Sequence, residues 1–363
     1  MKIAIDGSRY GGEMATGVEW YSFHIINALL EELKGSGDEV AVYSREKLKL
    51  PKWVENRVLP AKRLWTLKAL SRAMCADQPE ALFVPSHVLP PSLPKRSVIM
   101  IHDVAFRHFR KAYGFRQYHY LNWSTKFAVK NASAIVVPSE ATKKDLVELF
   151  ACDAGKIEVV PHGFAMPDVG EKKMEGPVFE YFEIDKTTKY ILFVGRLEAK
   201  KNLVRLVEAF GEFVQEHEEW KLVLAGKRGV GFHEIQRKVT NLGLAEKVVM
   251  PGYVTEEEKQ ALLENCHFFA FPSLYEGFGF PVLEAFSFGK AVLTSQSSSL
   301  PEVAGAAAHY VDPLEVSEMA AGLEKLASDE AYVKKLVSAG QGELKKFSWK
   351  KAAEQTLKVI HGQ

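Results

Sequence analysis

The sequence predicts an α/β protein built from two doubly wound domains, each organised around a parallel sheet. Short apolar segments alternate with amphipathic ones, and this alternation stops near residue 165 and resumes near residue 189. The length of 363 residues suits two domains, because a domain typically holds about 100–200 residues. Hydrophobic residues make up 47% of the chain and charged residues 26%, which excludes wholesale disorder.

The amino-terminal domain, predicted at 1–165, contains six short and nearly continuous apolar segments. Such segments are typical of strands that are buried on both faces of a parallel sheet. They lie at 2–6, 39–44, 81–85, 97–103, 134–139 and 157–161. Amphipathic helices are predicted between strands at 19–33, 64–74 and 139–150, the last with Ser139 as its cap.

Residues 166–188 contain prolines, glycines and charges with little periodicity, so we expect a linker there. The second domain is predicted at 189–345 and repeats the alternation of strands and helices. Its strands are expected at 189–195, 220–226, 247–252, 267–273 and 291–295. The final segment, 346–363, forms a helix whose placement the sequence leaves open, with packing on the amino-terminal domain as one arrangement.

Composition disfavours several classes of protein. No apolar run reaches the roughly 18 residues that a membrane-spanning helix needs, and the polar start of the chain predicts no signal peptide. The three cysteines lie far apart in sequence, as in a cytoplasmic protein without a disulfide framework. The basic excess of the amino-terminal part is too weak to predict a nucleic-acid partner, but it is compatible with anionic small molecules or lipids.

The strongest local motif is the segment from Glu276 to Glu284, EGFGFPVLE, which follows a buried strand and enters a helix. Pro281 suits the first turn of that helix, and the two glycines before it let backbone N–H groups approach a ligand closely. A helix start also favours phosphate. On spacing alone, a tight turn leading into a helix with acidic residues is an equally good interpretation.

This segment resembles the E-x7-E motif of retaining glycosyltransferases with the GT-B fold, in particular glycosyltransferase family 4. The resemblance extends over nearly the whole chain. Within the family, the chain is similar to bacterial mannosyltransferases of polysaccharide assembly. The other matching stretches, in chain order, are 11–21, 102–103, 138–140, 161–163 and 195–203. The resemblance implies two Rossmann-like domains that face each other across a cleft, with the acceptor bound by the first domain (1–165) and the nucleotide-sugar donor by the second (189–345).

The resemblance also implies roles for individual residues. Arg196 and Lys201 would hold the donor diphosphate, and an arginine and a lysine can converge on one anion without a metal. Glu276 would bind the hydroxyls of the donor sugar, and Glu284 the hydroxyls of the nucleotide ribose. Gly12 would let the amino-terminal loop close over the diphosphate, although an ordinary strand-to-helix turn is the alternative.

Further donor contacts are implied on either side of these residues. The backbone at Phe278, Gly279 and Phe280 would line the sugar and the phosphates. The nucleotide base would rest on backbone and apolar contacts around Tyr253 and Val254.

His102 follows an apolar strand, and the resemblance places it beside the donor sugar near the reacting carbon. It therefore joins Glu276, Arg196 and Lys201 as an implied catalytic residue. The alternative is a histidine that the backbone satisfies at the sheet edge. Because no second acid or base partner is evident, we do not assign His102 as a general base, and His162 is more readily structural.

The implied activity is metal-independent retaining transfer of a hexose, with GDP-mannose as the expected donor and a UDP-sugar as the alternative. The acceptor would be a glycan or a polyprenyl-linked molecule, and no cofactor is expected beyond the nucleoside diphosphate sugar as co-substrate. The missing D-x-D motif predicts no divalent metal, and neither a P-loop nor zinc spacing is present. A catalytically silent nucleotide-sugar-binding protein of the same fold is the alternative from another class, while a phosphorylase or an epimerase has less support.

Residues 107–130 are rich in lysine, arginine and aromatic residues and contain no acidic residue. Such a segment can rest on anionic headgroups or take a lipid-linked diphosphate, which predicts peripheral contact with the inner face of the membrane. Lys62, Arg63, Trp65, Lys68 and Arg72 extend the basic and aromatic character upstream. Ordinary amphipathic helices with core aromatics are an equally good interpretation of both stretches.

Overall fold

The computed structural model divides into two compact units, Met1–Gly163 with Phe347–Gln363, and Phe164–Lys346. We call these the amino-terminal and the central unit. The residues that the structure describes are 1–11, 17–61, 63–166, 184 and 187–363. Gly12, Lys62 and most of the predicted linker at 166–188 lie outside this set.

The amino-terminal unit is built on a seven-stranded sheet in the order β3-β2-β1-β4-β5-β6-β7. Every neighbouring pair is parallel. The strands are β1 (Lys2–Asp6), β2 (Glu39–Ser44), β3 (Glu55–Val58), β4 (Ala81–Val84), β5 (Arg96–Met100), β6 (Ala134–Val137) and β7 (Ile157–Val159). Six of them confirm predicted segments. The sequence gives no signal for β3, because this edge strand is polar and only partly buried.

The helices of this unit include α1 (Gly17–Leu33), α2 (Ser71–Asp77), α3 (Ala105–His108), α4 (Phe115–Asn131) and α5 (Glu140–Phe150). A π-helix at Trp65–Leu70 runs directly into α2. The predicted cap of α5 is confirmed, since the Ser139 hydroxyl accepts a hydrogen bond from the Thr142 backbone N–H at 3.2 Å.

The carboxy-terminal helix (Trp349–His361) belongs to the amino-terminal unit. Its Ala352, Ala353 and Ile360 are buried in one apolar cluster with Ile3 of β1. The chain at Gly163 passes very close to the start of this helix. A Cβ on that residue would lie 2.3 Å from the Trp349 backbone nitrogen, so only glycine fits.

The central unit is built on a six-stranded parallel sheet in the order β10-β9-β8-β11-β12-β13. Its strands are β8 (Lys189–Val194), β9 (Trp220–Ala225), β10 (Val248–Gly252), β11 (Phe268–Phe271), β12 (Ala291–Ser295) and β13 (Ala308–Val311). The first five confirm predicted segments, and the edge strand β13 is an addition. The helices include α6 (Leu203–Phe213), α7 (Phe232–Asn241), α8 (Glu256–Asn265), α9 (Phe280–Ser287), α10 (Leu300–Ala304), α11 (Val316–Ser328) and α12 (Glu330–Leu344).

Each sheet reverses its strand order at one point, between β1 and β4 in the first and between β8 and β11 in the second. In open α/β sheets, ligands bind outside the carboxyl ends of the strands at such a switch point. The fold therefore directs attention to the loops after these four strands, each within its own unit.

Among the described residues, no helix combines the length and the apolar character that crossing a bilayer requires.

Candidate functional site

The loop after β8 adjoins the switch point of the central unit and runs beside the loop after β9. The Gly195 N–H donates to the Ala225 carbonyl at 3.0 Å, and the Leu197 N–H donates to the Lys227 carbonyl at 2.9 Å. Gly226, with φ +145°, makes the close approach possible, because a Cβ there would lie 1.8 Å from the Gly195 carbonyl oxygen. The loop after β8 therefore has a fixed path.

Arg196 lies on this loop with an exposed side chain. Its stem covers the backbone of Gly229, where a Cβ would lie 2.9 Å from the Arg196 Cγ. Within the described ranges the guanidinium takes part in no ion pair. An unpaired guanidinium on a rigid loop can receive an anion in its planar fork.

Lys201 and Glu276 form a buried ion pair where the loops after β8 and β11 meet. The Lys201 ammonium donates to Glu276 Oε1 at 2.5 Å, and each side chain is only 11% exposed. Lys200 adds a second cation, with its Nζ 3.7 Å from Glu276 Oε2. The two loops are also joined through the backbone, since the Leu274 N–H donates to the Lys200 carbonyl at 2.8 Å.

Electrostatics keep Glu276 ionised. Burial alone would raise the pKa of its carboxyl, but Lys200 and Lys201 outweigh burial and hold the pKa below the ordinary glutamate value. For Lys201, burial lowers the pKa of the ammonium although Glu276 acts in the opposite direction. A carboxylate held in this way accepts hydrogen bonds and does not serve as a proton donor.

Two serines fix the turn that carries Glu276. The Ser299 hydroxyl shares its single proton between the Glu276 and Phe278 carbonyl oxygens, which lie 2.9 and 2.5 Å from its Oγ. The Ser298 hydroxyl also donates to the Glu276 carbonyl, and it accepts from the Glu276 N–H at 3.3 Å. The position of the carboxylate therefore depends on a second loop, the one between β12 and α10.

The turn ends at Gly279, which precedes α9 with φ +141°. A Cβ there would lie 3.1 Å from Leu300 Cδ2, so both conformation and space favour glycine. Pro281 lies in the first turn of α9, as predicted. Phe278 is buried and its ring lies edge-on to that of Phe280, with the ring centroids 5.1 Å apart.

Glu284 faces a lysine that the sequence does not single out. The Lys259 ammonium donates to Glu284 Oε1 at 2.8 Å and contacts Glu256 Oε2 at the same distance. Lys259 is buried, yet the two carboxylates outweigh that burial and raise its pKa. Its cation therefore orients the Glu284 carboxylate.

The residues predicted to hold the base lie after β10. Tyr253 is 50% exposed, and the Lys227 ammonium lies 4.4 Å from its ring centroid, a favourable cation–π contact. Val254 is buried beneath the surface. The ring thus offers an exposed face, whereas Val254 supports the loop.

His102 lies in the amino-terminal unit just after β5 and is buried. Its Nε2 lies 3.0 Å from the Pro85 carbonyl oxygen, and its Nδ1 lies 3.3 Å from His162 Nε2. Since a carbonyl only accepts, Nε2 carries the proton and Nδ1 accepts from His162. The ring of Tyr21 packs against both histidines, with centroid distances of 4.8 and 4.3 Å.

Burial, together with the neighbouring His87, lowers the pKa of His102 to about 3. The ring is therefore neutral at physiological pH, with both nitrogens bonded inside its own unit. This matches the alternative interpretation of a histidine that the sheet edge satisfies. Gly12, the other predicted donor residue of this unit, lies outside the described residues.

The basic and aromatic segment at 107–130 divides its aromatics between core and surface. Tyr113, Tyr118 and Phe127 pack against the buried cluster beneath α4, whereas Phe115, Tyr120 and Trp123 are among the exposed large apolar residues, led by Phe115 at 72%. Each of the two interpretations thus describes part of the segment.

In the upstream stretch, Trp65 is buried and its indole N–H donates to the Leu59 carbonyl at 2.8 Å. This aromatic is a core residue.

Three residues of the site, Lys259, Ser298 and Ser299, were not predicted from the sequence. Lys259 shares a helix with three consecutive glutamates, and a lysine among acidic residues usually signals an exposed helix face. The serines belong to the run SQSSS, which reads as an ordinary loop. Within the ranges that the structure describes, no three His, Cys, Asp or Glu side chains group in a way that could hold a metal ion.

Comparison with protein families matches both units. Residues 17–165 match the family model described as Glycosyltransferase Family 4, and residues 178–343 match the one described as Glycosyl transferases group 1.

Among similar proteins, O-antigen chain mannosyltransferase B of Escherichia coli is 28% identical over 276 residues, covering 75% of this chain and 72% of that protein. Serotype-specific mannosyltransferase WbdA of the same species is 28% identical over 277 residues, but the chain spans only about a third of its length, 33%.

Solved structures share the fold over the whole chain. Sucrose-phosphate synthase from Thermosynechococcus elongatus has a TM-score of 0.74 at 18% identity, covering 100% of this chain and 98% of that one. WaaG, a glycosyltransferase of lipopolysaccharide biosynthesis, has a TM-score of 0.70 at 16% identity, covering 99% and 100%. With both family models matched in order and the GT-B fold in place, the chain belongs to glycosyltransferase family 4 and resembles the bacterial mannosyltransferases of polysaccharide assembly.

Proposed function

We propose that the protein is a retaining, metal-independent mannosyltransferase. It transfers mannose from GDP-mannose to a hydroxyl of a glycan or lipid-linked acceptor. The choice of mannose is supported by the two Escherichia coli mannosyltransferases that the chain resembles. A relative from Campylobacter jejuni, 29% identical over 234 residues, acts on a diphospho-undecaprenol substrate, which supports a lipid-linked acceptor.

The observation that carries this proposal is the buried Lys201–Glu276 pair at the switch point of the central unit. Removing two charges from water costs several kcal/mol per ion, and a well-packed apolar pair is often more stable. A buried ion pair at the mouth of a parallel sheet is therefore better explained by ligand binding than by stability. Arg196 on the same loop adds a further cation.

In the proposed complex, Lys201 and Arg196 bind the diphosphate of the donor, and Glu276 accepts hydrogen bonds from hydroxyls of the sugar. The backbone at Phe278, Gly279 and Phe280 lines the sugar and phosphates. As the bond between the anomeric carbon and the leaving phosphate oxygen breaks, negative charge builds up on the diphosphate. Cations already in place stabilise that charge without reorganising.

The acceptor hydroxyl attacks the anomeric carbon from the face that the diphosphate leaves. The new glycosidic bond forms as the old bond breaks, and the hydroxyl proton passes to the departing phosphate oxygen. This route needs no protein base. It accords with the low pKa of His102 and with the ionised state of Glu276. We propose that His102 contacts the donor sugar as a neutral ring.

The nucleoside is proposed to bind at the second acidic residue of the motif. Glu284, oriented by Lys259, accepts hydrogen bonds from the ribose hydroxyls. The base lies against Tyr253 and the backbone before Val254. A UDP-sugar remains the alternative donor, since the structural neighbour Alr3699/HepE of Anabaena was solved with UDP-glucose.

We further propose a cytoplasmic protein that touches the inner face of the membrane through residues 107–130. Phe115, Tyr120 and Trp123 are the exposed aromatics of this segment. Lysines and arginines on the same helix would lie near anionic headgroups, where each is worth about 1 kcal/mol.

The test is transfer itself. Purified protein is incubated with GDP-mannose and with UDP-glucose in the presence of a chelator, and nucleotide release is measured with and without a glycan acceptor. We expect release from GDP-mannose that Lys201→Ala and Glu276→Gln reduce at least 100-fold, in line with the loss of a transition-state contact. Equal turnover by these folded variants would contradict the site, and no turnover by the wild type would favour a silent binding protein.

A further inference from the structure

The amino-terminal unit contains a pocket of about 360 Å³ that none of the roles above uses. Its walls come from the loops after β1, β2 and β4, from the π-helix and from α4. The pocket therefore lies at the switch point of this sheet, between β1 and β4. Its volume falls in the range of small-molecule sites, about 300–1,000 Å³.

Two arginines give the pocket its charge. Arg9 follows β1 and Arg45 follows β2, and both line the pocket. No acidic side chain is among the described residues that line it. Among the described residues, Arg45 forms no ion pair, and the single ion pair of Arg9 joins it to Glu19 at 3.4 Å, with the Arg9 side chain 55% exposed. Such exposed pairs are worth at most about 1 kcal/mol, so an incoming anion can displace this one.

The turn that presents Arg9 is built into the fold. The buried Asp6 accepts a hydrogen bond from the Ser8 N–H at 2.8 Å, and the Tyr10 N–H donates to the Gly7 carbonyl at 3.0 Å. These bonds fix the backbone on both sides of Arg9. The arginine thus extends from an ordered turn.

Another part of the lining combines an unusual backbone with an aromatic side chain. Leu64 has φ +53°, a left-handed conformation that is rare for leucine, and it leads into the π-helix. Such strain and single π turns are found preferentially at functional sites. Tyr120 of α4 also lines the pocket and is 42% exposed, so its ring can pack against a sugar.

We infer that this pocket binds a phosphorylated sugar, with the phosphate between Arg9 and Arg45 and the sugar ring against Tyr120. Guanidinium groups bind phosphate through paired hydrogen bonds, and a pocket of this size holds one hexose and its phosphate. The inference rests on the proposed function, in which it makes the acceptor a phosphorylated sugar. The phosphate can belong to a soluble sugar phosphate or to a lipid-linked sugar.

The test is isothermal titration of the full chain with two probes, mannose 1-phosphate and farnesyl diphosphate in detergent below its micellar concentration. Wild type, Arg9→Gln, Arg45→Gln and Tyr120→Leu are compared with Arg72→Gln, which alters an exposed arginine of the same unit outside the pocket. GDP is titrated in parallel as the probe of the central unit. Circular dichroism verifies that each variant is folded.

We expect at least one probe to bind and each pocket arginine variant to weaken that binding at least tenfold, with Arg72→Gln unchanged. If the arginine variants weaken the binding of mannose 1-phosphate, the ligand is a soluble sugar phosphate, and Tyr120→Leu should weaken that binding as well. Weakened binding of farnesyl diphosphate alone identifies a lipid-linked source. Binding of neither probe, or binding that the pocket variants leave intact, overturns the inference. GDP binding is measured separately, and a folded wild type that does not bind GDP would contradict the proposed function and not this inference.

Discussion

Replacing the partners of the buried ion pair one at a time and together separates stability from function. At an effective dielectric constant of about 20, charges 2.5 Å apart attract by about 6–7 kcal/mol before desolvation is subtracted. Glu276→Gln leaves the Lys201 ammonium buried beside Lys200 with its main counter-charge gone. Loss of one partner of a buried pair costs about 3–5 kcal/mol, and we expect that range here.

Lys201→Met should cost less, about 2–3 kcal/mol, because Glu276 keeps Lys200 at 3.7 Å. The double variant removes both buried charges. We expect it to be at least as stable as Glu276→Gln alone, because no unpaired ammonium remains. All three variants should nonetheless lose at least 100-fold in transfer.

Urea unfolding followed by circular dichroism compares the four proteins, with Lys189→Met as the control. Lys189 pairs with Glu219 at 3.0 Å on the surface of the same unit, where both side chains are about half exposed. Because water screens such a pair, its loss should change the stability only slightly. If Glu276→Gln is no more damaging than this control, or if the double variant shows the sum of both single losses, the reasoning about buried charge is refuted.

Three further predictions concern single sites. Lys259→Met should raise the KM for the donor about tenfold with a smaller change in kcat, whereas Lys259→Arg should retain most of the affinity. Initial rates at varied donor concentration measure both effects. An equal loss of affinity in the two variants would contradict an orienting role for Lys259. Gly279→Ala should destabilise the protein by about 1–3 kcal/mol and reduce transfer, whereas Gly342→Ala, in open space on α12, should be neutral or stabilising in the same thermal unfolding assay. The pKa of His102 is lowered to about 3 in the folded chain, so between about pH 3 and 6.5 the unfolded state binds more protons than the folded state, and stability should fall as the pH drops through that window. In unfolding midpoints measured from pH 7.5 to 4.5, His102→Gln should make this loss of stability less steep. A pH dependence identical to that of His233→Gln, a control at an exposed histidine, would contradict the prediction.

The central strands of both sheets could be predicted because their burial on two faces demands continuous apolar runs. Segments such as 2–6, 39–44 and 291–295 agree with the observed strands to the residue. The edge strand Glu55–Val58 needs no such run, because it pairs with a single strand and is only partly buried. Its sequence is therefore indistinguishable from a loop.

The candidate site was predictable where backbone geometry requires a residue type. Gly279 and Pro281 mark a turn into a helix, and acidic residues flank it in the sequence. Contacts between distant segments could not be predicted in the same way. Lys259 reaches Glu284 from another helix, and Ser299 reaches the Glu276 turn from the loop after β12. No local pattern encodes such pairings.

Calorimetric titration of GDP-mannose, in excess chelator, into wild type and Glu276→Gln tests the donor site most directly. We predict that the wild type binds without a metal and that the variant binds at least tenfold more weakly. We also predict that UDP-glucose binds the wild type more weakly than GDP-mannose does. A folded wild type that binds neither sugar nucleotide, or binds only when a divalent cation is restored, would contradict a metal-independent donor site built on Lys201 and Glu276.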